Sequence, residues 1–248
     1  ASPRCGRVVT ISSRTGILGG TFDPIHLGHL ALADAARTAF SLDRVLLLPS
    51  RVPPHRPQQP SASLFHRFAM AAVAAVDHPG LVVSDVEVLR DGPSYTVDTL
   101  RSLQAGGQTP DSLFFLIGTD AFAEIASWRG FPGVLDLAHF VVCSRPGTPA
   151  PVVPLHAIEV ASRIVERLDL SALSAERPTK PSAATRIVLF DAGTPAVSST
   201  LIRASARAGR PLAGLVPPAV DVYIRRHGLY GAPPDPDAGA SARGRQLA

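Results

Sequence analysis

Gly19-Gly20-Thr21-Phe22-Asp23-Pro24-Ile25-His26-Leu27-Gly28-His29 is the stretch on which the reading of this chain turns. The short apolar run Gly16-Ile17-Leu18 leads into it, and an alanine-rich segment with helical spacing (Leu27, Leu30, Ala31, Ala35) leaves it. The order is strand, glycine turn, helix start. Glycine lacks a Cβ and tolerates positive φ, so such a turn lets backbone amides come close to a phosphate. The N–H groups and dipole of the helix start favour an anion at the same place. His26 and His29 are three apart and share one side of the first helical turn. A Gly-Gly pair alone is often only a tight βα turn. The whole string, with Asp-Pro and H-x-G-H at fixed offsets after a strand, is far more specific to polyphosphate binding.

Outward from this turn, short apolar runs alternate with helical patterns. Strands are expected at Val45–Leu48, Leu81–Val83, Val86–Leu89, Leu113–Ile117, Phe140–Val142 and Ile187–Phe190. Helical spacing marks Ser63–Val76, Thr96–Leu103, Asp120–Trp128, Val134–Leu137, Ile158–Leu168, Ser199–Ala208 and Ala219–Arg226. Continuous apolar strands separated by helices indicate an α/β fold: a Rossmann-like, doubly wound parallel sheet covered on both faces. Ligands in such sheets lie beyond the carboxyl ends of the strands, near the switch point, where Gly19–His29 falls. Residues 1–15 read as an N-terminal extension and 16–231 as the main domain. Within it, 147–184 reads as a helical insertion outside the sheet and 197–231 as a small C-terminal helical subdomain. Residues 232–248, rich in Pro, Ala, Gly, Asp and Arg, read as a disordered tail.

The chain has 248 residues, enough to bury a substantial core. Its net charge is +4, and Lys180 is the only lysine, so arginine carries the positive charge. The planar guanidinium suits phosphate, but no dense basic run suggests a nucleic-acid stripe. Two cysteines, Cys5 and Cys143, are too few and too far apart for a disulfide framework or zinc site, which points to a reducing setting. No apolar stretch approaches membrane-spanning length and no signal-peptide core precedes the first strand. The expectation is a cytoplasmic protein with small-molecule substrates and neither nucleic acid nor membrane as partner.

A second stretch, Val197-Ser198-Ser199-Thr200-Leu201-Ile202-Arg203, supplies another anion clamp. Serines at a helix start cap it, and Arg203 lies one turn beyond Ser199 on the same face. Taken alone it reads equally well as an ordinary capped helix with a surface arginine; paired with the first motif it reads as a clamp.

Together the two stretches resemble the H-x-G-H nucleotidyltransferase superfamily, with signatures GGxFDPxHxGH and ISSTxIR. Within it the likeness is to bacterial nicotinate-nucleotide adenylyltransferases, carried by Ser94–Leu100, by Gly118-Thr119-Asp120 with Trp128, and by Ser144-Arg145-Pro146-Gly147. The resemblance implies joining of ATP and nicotinate mononucleotide to give nicotinate adenine dinucleotide and pyrophosphate, a step of NAD biosynthesis. It implies catalytic roles for His26, His29 and Arg203. Gly19, Gly20, Thr21, Phe22, Gly118, Asp120, Ser198 and Ser199 would bind ATP. Tyr95, Thr96, Trp128, His55, Arg56 and Arg145 would bind nicotinate mononucleotide, with a core aromatic as the other reading of Trp128. His55-Arg56 departs from the family's His-Lys pair, and arginine can keep the cationic role.

Magnesium is expected on the ATP phosphates with few protein ligands, because no carboxylate cluster suggests a metal cage. The insertion leaves a homo-oligomer open. One alternative is pantetheine-phosphate adenylyltransferase, which shares the first motif; Ser94–Leu100, Trp128 and Arg145 argue against it. Class I aminoacyl-tRNA synthetases also use H-x-G-H, but they need a lysine-rich second signature that is missing here. A non-catalytic nucleotide-binding regulator is disfavoured by the presence of both histidines and Arg203.

Overall fold

The strands β1 (Thr15–Gly20), β2 (Arg44–Pro49), β3 (Leu81–Val83), β4 (Leu113–Gly118), β5 (His139–Cys143), β6 (Ile164–Leu168) and β7 (Ile187–Phe190) form one parallel sheet in a computed structural model. Their order is β3-β2-β1-β4-β5-β7-β6. The structure describes residues 13–53, 59–144, 160, 162–168 and 185–233. Helices α1 (Leu27–Ala39), α2 (Leu64–Ala75), α3 (Thr96–Ala105), α4 (Thr119–Ala123), α5 (Ser199–Arg207) and α6 (Pro218–Arg226) flank the sheet.

Both faces of the sheet are covered, which is why the strands are apolar without a polar alternation. Alternate residues of β1, β2, β4 and β5 enter different cores. Leu18, Val45, Leu47, Phe114, Leu116, Val141 and Cys143 join the first, against α1, α2, α5 and α6. Ile17, Leu46, Leu48, Phe115, Ile117, Phe140 and Val142 join the second, against α3 and α4. The C-terminal helices pack on the sheet: Ile202, Ala206, Val220, Ile224 and Tyr230 are buried in the first core.

The sheet order places the chain's reversal between β1 and β4. There the ladder ends early. Leu18 pairs with Leu116, while Gly19 and Gly20 pair only with Leu48 and Pro49 on β2. Beyond Leu116, β4 continues paired with β5 as far as Gly118 and Cys143. A crevice therefore opens between the carboxyl ends of β1 and β4, at the switch point.

Four local expectations differ from the structure. Val86–Leu89 is no strand: Val86–Val88 is a turn. The buried Glu87 carboxylate accepts the Thr99 hydroxyl at 2.8 Å, and Arg51 donates to the Val88 carbonyl at 2.8 Å. These side-chain bonds fold the segment over α3 instead of adding it to the sheet. Ile164–Leu168, expected as helix, is edge strand β6, hydrogen-bonded to β7. The pairing offered by the sheet edge outweighs a short helical spacing that contains β-branched Ile164 and Val165. The expected 120–128 helix is interrupted, with α4 followed by a 3₁₀ turn at Ile125–Ser127, and Gly133–Asp136 is also 3₁₀.

His139 opens β5 at the end of the sheet opposite the crevice. It lies buried beside Phe114, and its Nδ1 accepts the Arg186 N–H at 3.0 Å. Burial lowers its pKa below the usual 6.5; the neighbouring Arg14 and Arg186 lower it further, and the Asp111 backbone opposes the shift. The neutral ring's contribution to stability is whole above the unfolded value and is lost as pH falls through the folded one. The thermal midpoint of the wild type should thus fall more between pH 7 and pH 5 than that of His139→Gln. Parallel curves for the two would contradict this account.

Candidate active site

His26 is the N-cap of α1, with extended backbone (φ −150°, ψ 172°), and its ring is buried over the crevice. The His26 N–H donates to Nδ1 of His29 at 3.3 Å. That bond makes Nδ1 an acceptor, so neutral His29 carries its proton on Nε2. The two imidazoles stack with centroids 3.7 Å apart and planes 24° from parallel. Phe22 meets His29 edge-on at 5.1 Å. Gly28 makes this packing feasible: a Cβ there would lie 3.1 Å from Nδ1 of His26 and 3.4 Å from the Pro195 carbonyl. Gly19 is exposed at the mouth of the crevice, and a Cβ built on it meets nothing within 4 Å. Room for a ligand borders the backbone there.

The second motif packs on the first through bonds that span 175 and 180 positions in sequence. Ser198 caps α5 by accepting the Leu201 N–H at 3.2 Å. Ser199 donates its hydroxyl to the Pro24 carbonyl at 2.9 Å. Nη1 of Arg203 donates to the Asp23 carbonyl at 2.8 Å, and its Nη2 to the Thr200 hydroxyl at 3.3 Å. The start of α1 is tied further to the C-terminal segment by a bond from the Leu27 N–H to the Leu215 carbonyl at 3.0 Å. Imidazoles, hydroxyls and a guanidinium thus gather at one end of the sheet. These are donors and cations, the chemistry of a phosphate site.

The remaining expected residues divide. Gly20, Thr21 and Phe22 form the turn itself. Gly118 and Asp120 stand across the crevice at the end of β4, with Asp120 exposed. Tyr95 is the N-cap of α3 and Thr96 its first residue. Trp128 is half-buried on the second core, edge-on to Phe115 at 6.2 Å, and the adjacent Arg129 guanidinium lies 4.8 Å from the Tyr95 ring centroid. Tyr95 and Trp128 thus belong to the α3–α4 face, apart from the histidines and Arg203. His55, Arg56 and Arg145 lie outside the described residues. Among the described residues no group of three or more His, Cys, Asp or Glu side chains could hold a metal ion.

Sequence reading missed three buried polar residues behind the turn. Asp23 is 4% exposed; its carboxylate accepts the Ser61 N–H at 2.7 Å, the Ala62 N–H at 3.0 Å and the Tyr230 hydroxyl at 2.9 Å. Arg67, 1% exposed, donates to the carbonyls of Thr21 and Ser50 at 2.6 and 2.8 Å. Burial lowers the Arg67 pKa, and the nearby Asp23 charge opposes that shift. Burial, reinforced by Asp23, raises the Tyr230 pKa, so the phenol stays protonated and donating. One signal was present in the sequence: Arg67 sits on the same helical stripe as buried Met70, Ala71 and Ala74, where an unpaired cation would not be tolerated.

The chain is similar to known proteins over most of its length. Residues 17–205 match the family model described as cytidylyltransferase-like. A Roseiflexus sp. (strain RS-1) protein named "Probable nicotinate-nucleotide adenylyltransferase" is 41% identical over 219 residues, covering 88% of this chain and 98% of the relative. An Aeromonas hydrophila protein of the same name is 42% identical over 216 residues, covering 87% and 96%. In fold, the chain resembles the solved Plasmodium falciparum nicotinic acid mononucleotide adenylyltransferase complexed with NaAD. The TM-score is 0.62 at 17% identity, over 88% of this chain and 98% of that one.

Replacing Arg67 with Met should leave the Thr21 and Ser50 carbonyls without their donor, at roughly 1–3 kcal/mol for each stranded group. Urea denaturation checks this; an unchanged midpoint would show that the arginine is not holding the turn.

Proposed function

The chain belongs to the cytidylyltransferase-like family and, within it, to the nicotinate-nucleotide adenylyltransferases; from that premise we propose how its residues carry out adenylyl transfer from ATP to nicotinate mononucleotide. An oxygen of the acceptor's 5′-phosphate attacks the α-phosphorus of ATP and forms the new P–O bond. The bond from that phosphorus to the bridging oxygen breaks, and pyrophosphate leaves with the electron pair. The nucleophile is already anionic, so no general base is needed. Catalysis consists of aligning two anions and neutralising charge on the phosphoryl oxygens.

The observation that carries this reading is the Arg203 bond to the Asp23 carbonyl, three residues before His26. It brings two anion cradles from opposite ends of the chain to one turn. His26 and His29 are assigned to the α- and β-phosphates, with His26 the main donor in the transition state. Arg203, Ser198 and Ser199 hold the departing pyrophosphate. Gly19, Gly20, Thr21 and Phe22 line the nucleotide path, and Gly118 and Asp120 hold the ribose, since a carboxylate can accept two sugar hydroxyls. Tyr95, Thr96 and Trp128 frame the pyridine ring, with His55, Arg56 and Arg145 assigned to the acceptor by resemblance. The donor set fits magnesium held by the triphosphate rather than by the protein, where it would neutralise phosphate charge. Dependence on ATP suits a cytoplasmic setting. No helix among the described residues is long and apolar enough to cross a membrane.

Pyrophosphate release tests the reading with nicotinate mononucleotide, its amide counterpart and phosphopantetheine compared side by side. The first should be the preferred acceptor; preference for phosphopantetheine would move the chain to the pantetheine-phosphate enzymes. His26→Ala should fold normally and lose turnover by about 10²–10³, the usual cost of one transition-state donor. A near-normal kcat would remove His26 from the mechanism.

A further inference from the structure

The 3₁₀ turn at Leu229–Gly231 reaches the catalytic turn through the side chain of Tyr230. Tyr230 lies beyond residues 17–205, the span matched by the family model, and its hydroxyl donates to Oδ1 of Asp23 at 2.9 Å. Both residues are buried. The other donors to that carboxylate, the Ser61 and Ala62 N–H groups, come from the segment that leads into α2. Asp23 is thus a junction between the lead into α2 and the C-terminal segment, and it stands inside the turn that ends at His26.

Backbone conformation gives an independent sign that this junction is enforced. Only three described non-glycine residues have positive φ, and two of them meet here: Phe22 (φ 49°), immediately before Asp23, and Tyr230 (φ 61°). Tyr230 is flanked by Gly228 and Gly231, also at positive φ, yet it keeps a bulky aromatic side chain in the left-handed region. Such a residue persists only where surrounding contacts over-determine it. Here the contacts are burial of the ring in the first core and the bond to Asp23. On the other side of the junction, the Phe22 ring abuts His29 and the Asp23 carbonyl receives Arg203. A displacement of Asp23 would therefore reach both histidines and the arginine.

We propose that Tyr230 is a positioning residue for adenylyl transfer: its phenol pins the Asp23 carboxylate, and through it the Phe22–His26 turn, so that His26 meets the α-phosphate in line. The bond is charge-assisted and shielded from water, which makes it a strong tie. No contact of Tyr230 with substrate is required. The proposal rests on the adenylyl-transfer reading above.

Steady-state kinetics of the full chain with ATP and nicotinate mononucleotide test it. Tyr230→Phe removes one oxygen and keeps the buried ring. It should lower kcat about tenfold while both KM values stay within about twofold, because misplacement of a catalytic group by about 1 Å can cost 10²-fold. Asp23→Asn, which cannot satisfy all three donors as an acceptor, reads the same tie from its other end and should also lose kcat with KM held. This second variant decides the matter if Tyr230→Phe does not fold. A merely structural tyrosine is separated by a double-mutant cycle with His26→Ala. If Tyr230 acts through His26, the double variant loses less than about threefold beyond His26→Ala alone. An unaltered kcat in the tyrosine variant, a rise in KM alone, or the full tenfold loss repeated in the His26→Ala background would overturn the proposal. A wild-type chain that releases no pyrophosphate would sink the adenylyl-transfer reading and this inference with it. A normally active wild type beside an equally active Tyr230→Phe would sink the inference alone.

Discussion

A buried carboxylate holds this molecule's working end together. Asp23 accepts hydrogen bonds from the residues just before α2 and from the 3₁₀ turn at Leu229–Gly231, while its own carbonyl takes the guanidinium of Arg203. A charge hidden from water is tolerable only when hydrogen-bonded on every side and offset by a nearby cation. Arg67 supplies that cation and also anchors the carbonyls of Thr21 and Ser50, the residues that directly follow β1 and β2. The phosphate cradle is therefore no loose loop on a rigid sheet; it is a turn fastened from behind by fixed charges.

The sheet supplies the complementary constraint. Because β1 and β4 part after Leu18 and Leu116, Gly19 borders open space where the chain reverses direction across the sheet. Helix α1 starts there with stacked imidazoles, and α5 arrives from the far end of the chain with hydroxyls and a guanidinium. On the proposed roles, labour is separated between the faces: the phosphate-directed groups cluster where α1 and α5 meet, and the aromatic groups assigned to the pyridine ring, Tyr95 and Trp128, sit with α3 and α4.

Much of this was legible in the sequence because local signals agreed with the global fold. The apolar runs at Val45–Leu48, Leu113–Ile117 and Phe140–Val142 are β2, β4 and β5, and the serine caps at Ser63 and Ser198 start α2 and α5. Misreadings came where tertiary partners decide. Val86–Leu89 alternates like a strand, but a bond between Glu87 and Thr99 draws it over α3. Ile158–Leu168 carries helical spacing, but part of it completes the sheet beside β7. In the site, the quoted motif contained Asp23, yet its importance depends on Arg67 and Tyr230, 44 and 207 positions away, and no local pattern links those three.

The account stands or falls on one convergence, that of the histidine turn and the α5 arginine on a single triphosphate. A crystal structure of the full chain with a non-hydrolysable ATP analogue measures it directly. The phosphate oxygens should lie within about 3 Å of both an imidazole nitrogen of the His26–His29 pair and the Arg203 guanidinium. A triphosphate held by one of these groups while the other faces away from it would contradict the account.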